Sequence, residues 1–110
     1  MCLFCQIIAK EVPADIVHED AHTLAFRDVR PVAPTHVLVI PKEHIAAPRA
    51  LEDHEIIGRT MLAASQVARK LGLEASGYRL VINDGEDAGQ SVPHIHVHVL
   101  GGRTLAWPPG

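Results

Sequence analysis

His94-Ile95-His96-Val97-His98-Val99-Leu100 sets three imidazoles in strict alternation with branched aliphatic residues. On an extended strand, side chains at i, i+2 and i+4 share one face, with same-face neighbours about 6.6 Å apart. His94, His96 and His98 therefore line one face, while Ile95, Val97 and Val99 face a core. A half-buried strand accounts for the alternation, and any one of these histidines alone reads as a packed core residue. Packing gives no reason for three imidazoles spaced by two. The stretch predicts a strand that carries chemistry.

Working outward, His96–Leu100 is the last strand, Asn83–Gln90 a turn-rich loop and Arg79–Ile82 a short strand before it. The best helix runs from Asp53 to Leu71, where Ile57, Met61, Ala64, Ala68 and Leu71 recur as one apolar stripe. Asp53 is its N-cap and Gly72 its stop. Thr35–Ile40 is a β-branched run closed by Pro41, a buried strand. Arg30-Pro31 opens a loop that Pro34 extends. Ile16–Glu19 and Leu24–Arg27 are two short strands joined by the polar Asp20-Ala21-His22. Phe4, Ile7 and Ile8 have helical spacing within Cys2–Ala9, and Pro13 ends that piece. Hairpin-joined strands with one long helix between them predict an α+β fold on an antiparallel sheet.

A chain of 110 residues, 47% hydrophobic, is expected to form one domain over 1–110 with a C-terminal tail at 104–110. A net charge of -3 gives no basic footprint for a nucleic-acid backbone, so no such partner is expected. No run of about 18 apolar residues exists, so no membrane span is expected. Residues 1–10 hold a single Lys and no long apolar segment, which makes a cytoplasmic location the simplest expectation. Both cysteines sit in Cys2-Leu3-Phe4-Cys5, where a disulfide would close only a tiny loop. In a reducing compartment such a pair reads as metal ligands or free thiols.

The pattern His-φ-His-φ-His-φ-φ, with φ apolar, resembles the signature of the histidine-triad (HIT) nucleotide-binding proteins. Asn83-Asp84-Gly85, Gly89-Gln90-Ser91-Val92, Thr35-His36-Val37-Leu38-Val39-Ile40-Pro41-Lys42, Gly101-Gly102-Arg103 and the terminal Trp107-Pro108-Pro109-Gly110 resemble the Hint branch. The likeness spans essentially the whole chain. It implies the HIT fold, a five-stranded antiparallel sheet with one long and one short helix, assembled as a homodimer. In that dimer, tails such as Thr104–Gly110 reach toward the partner's pocket. Exposed sheet edges and a terminal Trp107, costly to leave in water, point the same way.

Imidazole suits attack on phosphorus because it is partly unprotonated at neutral pH. The resemblance implies that His96 is the nucleophile and that a nucleotidyl-histidine forms before water releases the mononucleotide. His98 then donates to phosphate oxygens or to the leaving group, and His36 supports the nucleophile. Gly89, Gln90 and Ser91 offer N–H groups and a hydroxyl to developing negative charge. Asp28, with the backbone of Val29, matches the family's ribose carboxylate, and Asn83 matches a residue near the phosphate. Phe26, Leu24 and Ile7 are candidates for the base slot. In related HIT proteins carrying Cys-x-x-Cys, the second ligand pair resembles His44 and His94. Cys2, Cys5, His44 and His94 would then hold a structural zinc. His18, His22 and His54 read as solvated, and no organic cofactor is expected.

The expected function is that of a purine nucleoside phosphoramidase, which hydrolyses the P–N bond of adenosine 5′-phosphoramidates and binds AMP as product. The rival enzymatic reading is hydrolysis of dinucleoside polyphosphates, as in the Fhit branch. The rival from another class is a nucleotide-binding regulatory protein with vestigial catalysis, against which an intact middle histidine argues.

Overall fold

The computed structural model describes residues 2–110. α1 (Leu3–Ile8) leads into β1 (Ile16–Glu19), β2 (Thr23–Arg27) and β3 (Thr35–Pro41). A short 3-10 turn at Pro48–Ala50 precedes α2 (Glu55–Lys70), and β4 (Tyr78–Ile82) and β5 (Val97–Gly101) complete the chain. The fold is α+β, a five-stranded antiparallel sheet in the order β1-β2-β3-β5-β4.

The strand period of two divides the sheet between two cores. Ala25, Val37, Val39, Val97 and Val99 share one face with Ala63, Ala64, Val67 and Ala68 of α2. Leu24, Phe26, Leu38 and Ile40 point the other way and pack on Phe4 and Ile7 of α1. β3 is enclosed on both faces, which explains its nearly continuous apolar run. His98 pairs in register with Leu38, so it lies on the α1 face, while Val97 and Val99 enter the α2 core.

The long helix starts two residues later than expected: His54, not Asp53, holds the cap position and makes no side-chain cap bond, while Asp53 Oδ1 just before it accepts the Glu55 N–H at 2.9 Å. The C-terminal end is where the sequence places it. Gly72, at φ 77°, closes a Schellman motif in which Leu73 N–H bonds Ala68 O and Gly72 N–H bonds Arg69 O. The buried stripe is centred differently from the predicted one. Ala64 and Ala68 are buried as expected, but Thr60, Ala63 and Val67 fill the rest, while Ile57, Met61 and Leu71 flank it half-buried. Small residues let the helix approach the sheet, and the longer side chains splay to its sides. Thr60 tolerates burial because its hydroxyl donates to Ile56 O at 2.7 Å. Among the described residues, no helix is long and apolar enough to cross a membrane.

Candidate active site and metal centre

His94 and His96 precede the regular part of β5 and are buried, with His94 fully enclosed. The alternation persists, yet the three histidines have three different settings. Hydrogen bonding assigns the proton on each ring.

His96 Nδ1 lies 2.7 Å from the carbonyl oxygen of His94 and donates its proton there. A neutral His96 therefore carries a bare lone pair on Nε2, the geometry of a nucleophile. Phe4 stands edge-on to this ring, with centroids 5.2 Å apart, and fixes its plane.

His98 meets His36 across β3 and β5, with His98 Nδ1 and His36 Nε2 2.9 Å apart. His36 Nδ1 accepts the Val32 N–H at 3.1 Å, and Asp28 Oδ2 lies 3.4 Å from His36 Nε2. Burial lowers the pKa of His36, with Asp28 opposing the shift. Burial, helped by His96 and His36, pushes His98 down to about 4. His98 Nε2 is buried without a partner among the described residues. Leaving such a donor unsatisfied costs about 1–3 kcal/mol, so the fold holds it ready for an acceptor.

Asp28, His36 and His98 also bring three potential metal-ligating atoms together. The Val32 N–H requires a lone pair on His36 Nδ1, which puts the His36 proton on Nε2, between the other two groups. That proton makes the cluster a hydrogen-bonded relay and disfavours a cation there.

The second cluster has the opposite character. His94 Nε2 donates to Pro41 O at 2.8 Å, which strips Nδ1 of its proton and aims it at Cys2 Sγ (3.6 Å), Cys5 Sγ (3.7 Å) and His44 Nδ1 (3.2 Å). Cys5 Sγ is 3.3 Å from His44 Nδ1. A tetrahedron with bonds of about 2.3 Å to sulfur and 2.05 Å to nitrogen has edges of about 3.3–3.8 Å. The four donors fit zinc in type and spacing. The Pro41 carbonyl holds the His94 ring in the orientation that a metal-bound imidazole would need. Cys2 caps α1 and Cys5 lies in its first turn, so one short helix presents both sulfurs.

α1 also walls a cavity of about 180 Å³, lined by Leu3, Phe4, Ile7, Phe26, Leu38 and Val92 together with Asp28, Val29 and Ser91. Ile7 and Phe26 sit where a base slot was expected. Leu24 is fully buried in the core and does not line it. Asp28 is held by the Arg30 N–H at 2.8 Å, and Val29 is almost fully exposed. A larger cavity of about 330 Å³, around His22, Lys42, Glu43 and Arg59, contains no triad histidine, and its size gives it no claim on the chemistry.

The loop between β4 and β5 is stapled internally. Gln90 Oε1 accepts the Gly85 N–H, and Gln90 Nε2 donates to Ala46 O and Val92 O. The Gln90 N–H bonds Gly85 O, and the Gly89 N–H bonds Glu86 O. Of the predicted triplet, Gly89 and Gln90 are thus committed to the loop's shape, and Ser91 keeps an exposed hydroxyl without a partner among the described residues. Arg49 ties the loop to the 3-10 turn through Asp84 at 2.7 Å. Gly85 has φ 95°, and a Cβ there would meet Arg49 Nη2 at 2.8 Å. Asn83, half-buried at the end of β4, has no hydrogen-bond partner among the described residues. Of the histidines read as solvated, His18 is half-buried and bonds Asp20 Oδ2 at 3.1 Å, whereas His22 and His54 are exposed.

Sequence reasoning missed three main-chain groups that fix the ring protons, the Val32 N–H, Pro41 O and His94 O. It also missed Phe4, Leu38 and Val92 in the cavity wall.

Comparison with known proteins agrees with this architecture. An uncharacterized HIT-like protein from Synechococcus elongatus is 53% identical over 110 residues, covering 98% of this chain and 96% of the relative. The crystal structure of a HIT family hydrolase from Legionella pneumophila superposes with a TM-score of 0.97 at 50% identity, over 100% of both chains. A histidine triad nucleotide-binding protein from Candida albicans gives a TM-score of 0.85 at 32% identity, over 98% of this chain and 83% of that one. With residues 9–105 matching the HIT domain, the chain belongs to the HIT domain family.

Proposed function

We propose that this protein is a nucleotide hydrolase of the Hint type, a purine nucleoside phosphoramidase that cleaves the P–N bond of adenosine 5′-phosphoramidates through a nucleotidyl-His96 intermediate. The observation that carries this reading is the pair of ring nitrogens at the site. His96 Nε2 is left bare by the bond from Nδ1 to His94 O, and the neighbouring His98 ring, 5.0 Å away between centroids, offers an Nε2–H that has no partner among the described residues. Membership of the HIT domain family and likeness to a HIT family hydrolase support it.

In this mechanism the apolar cavity takes the base and Asp28, with Val29, takes the ribose hydroxyls. Ser91 and Asn83 meet the phosphate, while Gly89 and Gln90 shape the loop that carries Ser91. His96 Nε2 attacks the α-phosphorus, and the P–N electron pair leaves with nitrogen, which takes a proton from solvent water. The cation formed on His96 is stabilised by its Nδ1–H···O bond to His94. His98, held in place by His36, stabilises charge on the phosphoryl oxygens through its Nε2–H. Water then cleaves the histidine–phosphorus bond and releases AMP. Zinc held by Cys2, Cys5, His44 and His94 would supply structural cross-linking alone, because its four protein ligands leave no position for water.

The whole chain is proposed to act as one HIT domain within a two-fold homodimer. β4 is a free sheet edge, and the tail lies beside it. Arg79 donates to Ala106 O at 2.9 Å and sits 6.0 Å over the ring of Trp107, which is 80% exposed. A second copy would cover both edge and ring, and light scattering at micromolar concentration tests this: a monomer overturns it.

The catalytic reading is tested by mixing the protein with an adenosine phosphoramidate, quenching, and mapping adenylation by mass spectrometry. Label on His96, and its loss with turnover in His96→Ala while nucleotide binding persists, is the expected result. Turnover by His96→Ala within a few-fold of the parent eliminates the nucleophile assignment.

A further inference from the structure

We propose that the main chain of Val32 is a positioning group for the reaction. Its N–H locks His36, and through it His98, in one neutral tautomer whose Nε2–H faces the transferring phosphoryl group. The proposal rests on the nucleotidyl-transfer reading of the site and adds to it a group outside the histidines.

A main-chain amide can only donate, so His36 Nδ1, 3.1 Å away, must present a lone pair. A neutral imidazole has a single N–H, and in His36 it is therefore on Nε2. That nitrogen lies 2.9 Å from His98 Nδ1, which must accept, leaving the His98 proton on Nε2. The chain runs in one direction from an amide that does not titrate, and it ends at the one buried side-chain polar atom that lacks a partner among the described residues.

A second proton has no place on this chain. It would enter at His98 Nδ1 and oppose the His36 Nε2–H, which would have to turn to Asp28 Oδ2 at 3.4 Å. The titratable groups facing His98 are His96 beside it in the chain, His36 from β3 and Asp28 from the end of β2. Its register neighbours Leu38 and Val81 carry no charge. Burial and the two imidazoles push His98 down to about 4, with Asp28 opposing, in the same sense as the hydrogen-bond argument.

The consequence concerns where protons go. If His98 gave up its Nε2 proton, the His36 proton would follow onto His98 Nδ1, and His36 would be left an imidazolate because the Val32 amide proton cannot follow. His98 therefore keeps its proton and stabilises phosphoryl charge through a hydrogen bond. The segment 28–34 contributes Asp28 and Val29 to the cavity and also carries Val32. Ordering of this segment around a ribose thus also orders the donor at phosphorus.

Two-bond ¹H–¹⁵N correlation spectra of the ligand-free, ¹⁵N-labelled protein read each tautomer directly. Expected are Nε2–H patterns for both His36 and His98 from pH 8 to 6, with His98 neutral in more than about 90% of molecules at pH 6. Val32→Pro, which deletes the N–H, should convert His36 to a tautomer mixture, and Val32→Ala, which keeps it, should not. A His98 Nδ1–H pattern, exchange-averaged tautomers in the parent, half-protonation of His98 near pH 6.5, or an unchanged His36 in Val32→Pro would each overturn the proposal. If Val32→Pro does not fold, the parent spectrum and its pH series decide. No substrate is involved, so failure here is separable from failure of P–N hydrolysis, which the adenylation of His96 reads independently.

Discussion

Truncating Phe4 to Ala tests whether α1 is a working wall of the site. The ring is 4% exposed and stands edge-on to Phe26 (5.4 Å), His96 (5.2 Å) and His94 (5.9 Å). Removing a buried Phe costs about 3–5 kcal/mol. α1 is only six residues long and can settle partly into the gap, so the low end, about 3 kcal/mol, is expected. For a domain of this size that lowers the melting temperature by about 12–18 °C. Without the ring, His96 loses the contact that sets its plane, and displacement of a nucleophile by a fraction of an ångström slows single turnover about tenfold. Phe4→Leu keeps most of the volume and should cost about 1–1.5 kcal/mol with modest loss of rate. The assay pairs thermal melting by circular dichroism with single-turnover hydrolysis at a temperature where every variant is folded and its metal content is known. Phe4→Ala melting within about 3 °C of the parent, at an unchanged single-turnover rate, would refute the reasoning.

Metal analysis of protein purified without chelators should give close to one zinc per chain, and Cys5→Ser should lower the melting temperature more than it lowers turnover per folded molecule. Metal-free protein with both thiols titrating freely would count against the site. Substrates lacking the 2′-hydroxyl leave Asp28 with an unmatched acceptor, worth about 1–3 kcal/mol, so kcat/KM should fall about 5- to 150-fold. Equal efficiency on both sugars removes Asp28 from ribose recognition. Because His98 is pushed below its ordinary value of 6.5 to about 4, the unfolded chain binds the extra proton first. Stability should be flat above about pH 6.5 and fall between 6.5 and 4, by about 1–2 kcal/mol after discounting for solvent screening. Urea unfolding at stepped pH checks this, and a flat profile from pH 7 to 4.5 contradicts it.

The parts legible in the sequence are those that repeat with a period. The β-branched run Thr35–Ile40 and the alternation around Val97–Val99 mark the strands, and Gly72 marks the end of α2 because a left-handed C′ position is specific to residue type. Of the metal-ligand candidates, the sequence by itself marks only the Cys2–Cys5 pair; His44 and His94 came from the family resemblance, and the fold does bring all four side chains together. The buried stripe on α2 is rotated from the one the helical spacing marks: it keeps Ala64 and Ala68 but centres on Thr60, Ala63 and Val67 in place of Ile57, Met61 and Leu71, because close packing on the sheet favours small side chains. The role of the Gln90 side chain was not legible, because the expectation for Gly89-Gln90-Ser91 concerned N–H groups and a hydroxyl, whereas the Gln90 amide holds Gly85, Ala46 and Val92.

What the sequence withheld is how protons are arranged in the triad. Each ring's tautomer is set by a main-chain group, Val32 N–H for His36, His94 O for His96 and Pro41 O for His94. Every residue except proline carries both such groups, so no residue type marks the ones that matter. Their positions come from the turn through Pro31 and Pro34 and from the β3–β5 register that sets His36 diagonal to His98. Three histidines at identical spacing thus take three settings, which the proposed function reads as a metal ligand, a nucleophile and a neutral donor. His94 is the link between the two centres, with Nδ1 at the sulfurs and its carbonyl oxygen on His96. A shift of His94 toward or away from the metal donors would carry the proton acceptor of the nucleophile with it. In the proposed reading, the metal cluster and the alignment of His96 are joined through the single residue His94.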